Sequence, residues 1–134
     1  MTLDPGDRNT LINHRLNRAH ETRKESILLF ENGMLAAVVN RVYYSMFYAL
    51  SALAILREFE TGKHAQLIGW FNKNFIKTGM VDNRYSKIIS QAFDKRMLGD
   101  YADLPEFSVI EVEAMIAESG EFISMIEKLI GVKQ

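Results

Sequence analysis

Apolar positions recur along this chain at spacings of three and four residues, the period of an amphipathic helix. In the first segment Ile12, Leu16, Ala19, Ser26 and Phe30 share one stripe. They predict a helix over about residues 7–32, ended by Gly33 in the left-handed conformation. The next segment, about 34–59, carries two apolar faces. Leu35, Val39, Val42, Met46, Ala49, Leu53 and Leu56 keep a four-three alternation, and Tyr43, Phe47, Leu50 and Ala54 lie about a quarter turn away. A helix apolar over so wide an arc packs on several sides, so this is the expected central helix.

A third helix over about 63–77 follows the Thr61-Gly62 break, with His64, Ile68, Phe71 and Phe75 on one side and Thr78-Gly79 closing it. Asp82 reads as the N-cap of a fourth, striped by Tyr85, Ile88, Ile89, Ala92, Phe93 and Met97. Gly99 is expected to stop that helix and open a loop over 100–107. Ser108 and Glu111 then form a capping-box pattern for a fifth helix, ended by Gly131. Short connections predict antiparallel neighbours: an all-α, up-and-down bundle of four long helices plus a shorter one, forming a single domain over 1–134.

Composition narrows the chemistry. Hydrophobic residues at 48% and charged residues at 25% describe a chain that buries a core. A net charge of −1 announces neither nucleic acid nor an anionic membrane, so any RNA contact needs a local basic patch. The absence of cysteine removes disulfides and thiol catalysis and agrees with a cytoplasmic location. The first residues are polar and acidic, unlike a secretory leader. Residues 34–56 have the length of a membrane span, but Asn40 and Arg41 lie inside it at high cost, so no membrane association is expected. No phosphate-binding glycine loop or nucleophile elbow occurs, and His14 and His20 are six apart, off the spacing that chelates zinc. Neither a metal nor a cofactor is expected.

What stands out is a set of polar residues where a bland core has none. Arg41 lies mid-way along the central helix, with Tyr44 and Tyr48 on its side. Arg23 interrupts the first stripe, and Arg96, Asp100 and Tyr101 gather at the end of the fourth helix. An inward arginine needs a carboxylate, carbonyls or a ligand. Arg41 is either the partner of Asp100 or a ligand contact. Arg23 reads as a packed stem with its head in solvent. Tyr43, Tyr44 and Tyr48 read as packed rings with satisfied hydroxyls rather than a base-stacking platform. His64 reads either as a helix-start residue bonded to a backbone carbonyl or as a functional group.

The run Asn40-Arg41-Val42-Tyr43-Tyr44-Ser45-Met46-Phe47-Tyr48-Ala49 resembles the NRxYYxxFxA signature on the second helix of HEPN domains. Gly62-Lys63-His64 is similar to the KTH segment of a small prokaryotic branch of that family. Arg96-Met97-Leu98-Gly99-Asp100-Tyr101 is similar to that branch's RxxxDY. The resemblance implies a helical bundle, homodimerisation, and a role in nucleotide or RNA transactions, often beside a minimal nucleotidyltransferase as a toxin and antitoxin pair. In such pairs the partner enzyme transfers nucleotide to a tyrosine beside the motif, a part that Tyr101 resembles. Ribonuclease members share an RxxxxH-type motif whose arginine corresponds to Arg96. The histidine positions are occupied here by Tyr101, Ala102 and Asp103. Tyrosine, with a pKa near 10 against about 6.5 for histidine, is a poor substitute as a general base at neutral pH.

Three functions follow as expectations. The first is a non-catalytic module binding nucleotide or RNA through Arg41, Tyr44, His64, Arg96, Asp100 and Tyr101. The second is a divergent ribonuclease toxin using Arg96, Asp100, Tyr101 and His64. The third is a structural dimer without ligand, which a close Arg41–Asp100 ion pair with no cavity would favour. Gly99 is further expected to fold Tyr101 back towards Arg96.

Overall fold

The computed structural model describes residues 3–131, and within them the chain is all helical. Helix α1 is Pro5–Glu31, α2 Leu35–Leu56, α3 His64–Phe71, α4 Asn83–Tyr101 and α5 Val109–Ile130. A π-helical turn, Asn72–Ile76, continues α3. The helix starts follow local chemistry. Asp4, Asp82 and Ser108 each accept a backbone N–H, and Ser108 and Glu111 complete the reciprocal capping box. Gly33 (φ 72°) and Gly131 (φ 95°) end α1 and α5 in the left-handed region.

Cross-helix pairs fix the direction of every long helix. Arg8–Glu58, Arg18–Tyr48 and Glu25–Arg41 join α1 and the α2 region with numbers running in opposite senses. Tyr44–Arg96 and Asn40–Asp100 do the same for α2 and α4, and Arg84–Glu121 and Lys95–Glu111 for α4 and α5. His20–Glu127 closes the circle from α1 to α5. The bundle is therefore up-and-down, with α3 and its π turn as the short connector between α2 and α4. Helix α2 packs against α1, α3, α4 and α5, and Val38, Val39, Val42, Tyr43, Ala49, Leu50 and Leu53 are wholly buried. A Leu or Val at such a position stabilises the fold by about 1.5–3 kcal/mol.

Three sequence expectations change. Helix α2 stops at Leu56, short of Phe59, because Glu58 takes φ 58° and lets Phe59 N–H bond Ala54 C=O at 2.9 Å. The expected third helix splits where Lys77 N–H reaches back five residues to Asn72 C=O, with Phe71 and Phe75 both buried and their rings 5.8 Å apart. Gly99 does not stop α4, which runs on to Tyr101. A Cβ at Gly99 would sit 3.3 Å from the Phe107 ring and 3.9 Å from the Ala36 carbonyl. That glycine serves close packing rather than a turn.

Arg23 also departs from expectation. Its head turns inward, donating from Nε and Nη2 to the Ile116 carbonyl at 3.2 and 3.1 Å and from Nε to Ser119 Oγ at 3.1 Å. The guanidinium rests over Gly120, where a Cβ would lie 2.9 Å from its Cζ. No helix among the described residues is long and apolar enough to cross a membrane.

Candidate functional site

The polar residues of α2 and α4 meet because the two helices are antiparallel: Asn40 and Asp100 face each other one turn from Tyr44 and Arg96. The Arg96 side chain is only 12% exposed. It donates from Nη2 to the Tyr44 hydroxyl at 2.8 Å, and its Cζ lies 5.2 Å from the Tyr44 ring centre and 5.4 Å from that of Tyr43. Its Nε is 3.1 Å from Asp100 Oδ2, with no acceptor aligned to the Nε–H, so this contact is mainly electrostatic. Arg96 and Asp100 are four apart on one helix, which places the two on the same face.

Asp100 has a second partner. Asn40 donates from Nδ2 to both of its oxygens, at 3.2 and 3.1 Å. The side-chain oxygen of Asn40 in turn accepts from Arg41 Nε and Nη2, at 3.0 and 2.8 Å. Arg41 therefore does not pair with Asp100, and the ion pair that would have favoured a purely structural dimer is replaced by a relay through Asn40. The Arg41 guanidinium leans over the Tyr44 ring at 5.3 Å, with Glu25 Oε1 3.6 Å from its Nη1. Tyr44 is thus flanked by two arginines.

His64 begins α3, but its ring bonds no backbone carbonyl through Nδ1. That nitrogen meets the Tyr43 hydroxyl at 2.7 Å. The imidazole stacks on Phe47 at 4.0 Å and 10° and meets Tyr44 edge-on at 5.7 Å. Burial, then the positive charge of Arg96, holds the His64 pKa below its ordinary value. Burial likewise raises that of Tyr43. The hydroxyls of Tyr43, Tyr44 and Tyr48 are all engaged, by His64, Arg96 and Arg18. The reading of three packed and satisfied tyrosines holds.

Tyr101 stands apart. Because α4 continues through Gly99, Tyr101 projects about 140° around the helix from Arg96 and is 72% exposed. The expected return of Tyr101 onto Arg96 does not occur. The structure thus joins Arg41, Tyr44, His64, Arg96 and Asp100 in one network and leaves Tyr101 on the open face beside it. Two members were absent from the expected set, Asn40 and Tyr43. Asn40 had a signal, a polar residue inside the most apolar helix. Tyr43 had its place in the tyrosine pair of the NRxYYxxFxA resemblance, but it was read there as a packed ring. The described residues hold no cluster of His, Asp and Glu suited to a metal ion.

A family model for the HEPN domain matches residues 12–129. This chain belongs to the HEPN family. A UPF0332 protein of Thermotoga maritima is 36% identical over 124 residues, covering 92% of this chain and 94% of its own length. Two proteins of Methanocaldococcus jannaschii, each named as a candidate toxin, are 32% and 29% identical. The first alignment covers 82% of this chain and 81% of the relative, the second 84% and 77%. The Arg96 to Tyr101 segment, with a tyrosine where the ribonuclease motif has histidine, lies inside the matched region.

Proposed function

We propose that this chain is a HEPN module that binds nucleotide or RNA at the Arg41–Tyr44–Arg96 face. It acts as a homodimer beside a minimal nucleotidyltransferase in a toxin–antitoxin pair, and it does not cleave RNA by the family's arginine–histidine route. The observation that carries this reading is the state of Arg96. Tyr44 and Asp100 hold it in place from the protein side, and no imidazole follows it on α4. A positioned guanidinium in a cluster whose imidazole, His64, is already bonded to Tyr43 suits recognition of a phosphate better than its hydrolysis. The names of the Methanocaldococcus relatives support the toxin–antitoxin setting. The test is fluorescence anisotropy with a labelled single-stranded RNA. The wild type binds without cleaving it, and Arg96→Ala binds about tenfold or more weakly, as expected for losing a charge-assisted contact. Equal binding by the variant overturns the reading.

Tyr101 fits the role of nucleotide acceptor. Its phenol is exposed, whereas those of Tyr43, Tyr44 and Tyr48 are occupied. In that step the Tyr101 oxygen attacks the α-phosphorus of ATP, the bond to the β-phosphate oxygen breaks, pyrophosphate leaves, and the phenol proton passes to the partner enzyme or water. Incubation with the cognate nucleotidyltransferase and ATP, followed by peptide mass spectrometry, places the added nucleotide on Tyr101. Equal labelling of Tyr101→Phe removes this role.

A second reading draws on the His64 geometry. The structure brings an imidazole into the same cluster as Arg96 from a different helix, with its basic form favoured at neutral pH. Metal-independent RNA cleavage lost in both Arg96→Ala and His64→Ala would make this chain a ribonuclease with a relocated base.

A further inference from the structure

On the far side of Phe47 from the α2–α4 network lies a cleft of about 850 Å³ between α1, α2 and the segment leading into α3. Leu11, Phe47, Ile55, Phe59 and Leu67 supply its apolar walls, and Arg15 and Glu60 contribute opposite charges. Its size lies within the range of small-molecule sites, which combine apolar walls with a few placed polar groups.

Arg15 is the informative residue. Among the described residues the other arginines are engaged. Arg8, Arg41, Arg84 and Arg96 have carboxylates, Arg23 a carbonyl, Arg18 a hydroxyl, and Arg57 the Phe75 ring. Arg15 has none of these; its Nε is closed off from water and so from any ligand, which leaves its two terminal nitrogens, unpaired and not closed off, to take an acceptor in the cleft. A guanidinium edge on an apolar wall with no carboxylate or carbonyl from the fold is free to pair with an acceptor brought in by a ligand. The neighbouring Arg8 does not fill that role, because it is already committed to Glu58 at 2.6 Å.

We infer that this cleft binds a small organic carboxylate with an apolar body, its carboxylate on Arg15 and its body against Phe47 and Phe59. The planar fork of a guanidinium matches a carboxylate in geometry and charge. With Glu58 neutralised by Arg8, Glu60 is the carboxylate left to repel a multiply charged anion, which favours a single negative charge over a nucleotide's phosphates. This site is separate from the RNA-binding face and does not depend on it.

The chain's single tryptophan reports on the cleft, since Trp70 stacks on Phe59 at 5.0 Å and 8°. The experiment titrates the protein with sodium octanoate and follows Trp70 emission. Saturable binding is expected, with 1-octanol failing to compete and Arg15→Gln binding about tenfold or more weakly, the value of one charge-assisted bond. Glu60→Gln, on the exposed rim, tightens binding by removing a like charge and supplies a second readout should Arg15→Gln lose its helical circular dichroism. Absence of saturation, equal competition by octanol, or octanoate affinity unchanged in both variants overturns the inference.

Discussion

His64 and Tyr43 meet at 2.7 Å, and the pKa of each is displaced toward its neutral form. The displacement of His64 has a sign. At a pH below about 6.5 an unfolded chain protonates this histidine, while the folded chain, with its lowered pKa, resists. The unfolded state then binds more protons, so the His64 contribution is complete above about pH 6.5 and is lost as pH falls through the folded value. Urea melts at pH 7.5 and 5.5 should show a larger loss of stability in the wild type than in His64→Gln, and equal losses would refute the shift. Tyr43→Phe should destabilise by about 1–2 kcal/mol, since it leaves the imidazole nitrogen without its partner. At this scale the sequence displayed the charges but not their pairing. Arg41, Arg96 and Asp100 stood out as ionic residues; Arg96 and Asp100 share a face once α4 runs past Gly99, whereas whether Arg41 also reached Asp100 depended on the rotation of α4 against α2. Asn40 was visible as a polar residue in an apolar helix, but its partners were not, its amide bridging two helices that only the tertiary fold brings together.

At the scale of elements, two helical glycines should respond to alanine with opposite signs. Gly69 lies within α3 with nothing within 4 Å of the place a methyl would occupy, so Gly69→Ala should gain up to about 1 kcal/mol of helix propensity. Gly120 lies under the Arg23 guanidinium, and a methyl there must displace a group bonded to Ile116 and Ser119. Losing those charge-assisted bonds, at about 1.5–3 kcal/mol, outweighs the same propensity gain, so Gly120→Ala should destabilise by about 1 kcal/mol. In an Arg23→Ala background the substitution should become stabilising, and a double-mutant cycle of thermal melts reads the reversal. Legibility of the helix ends follows the same division between local and tertiary causes. The start of α5 was readable because the capping box is a local motif. The end of α2 was overrun because Glu58, a residue with no glycine signal, takes the left-handed turn. Gly99 misled in the opposite direction, since a glycine kept for the approach of Phe107 reads in one dimension like a helix stop.

For the whole molecule the distribution of apolar surface carries the argument for dimerisation. From the last turn of α4 to the first of α5, Leu98, Tyr101, Leu104 and Ile110 are 51, 72, 89 and 84% exposed. Leu28 and Met34, also exposed, flank the α1–α2 turn, and Gly99 lies against Ala36 just beyond it. Exposed apolar side chains gathered at one end of a chain this small are a liability for a monomer and an asset for a pair of chains. The same end carries Asp100 and Tyr101, so burying it against a second copy would bring two candidate sites together, as expected of a symmetric interface, and nucleotide transfer to Tyr101 would then act on the free chain. Light scattering coupled to size exclusion at tens of micromolar should return twice the chain mass, in the range where weak dimers form. Leu104→Glu combined with Ile110→Glu should return the single-chain mass with circular dichroism unchanged. Both side chains are already in solvent in the isolated chain, so their replacement should alter its own stability by no more than about 0.5 kcal/mol. A monomeric wild type would remove the dimer from the proposed function. A dimer indifferent to the two glutamates would move the interface to another face of the bundle and leave Tyr101 open to solvent in the assembly, the accessibility that nucleotide transfer requires.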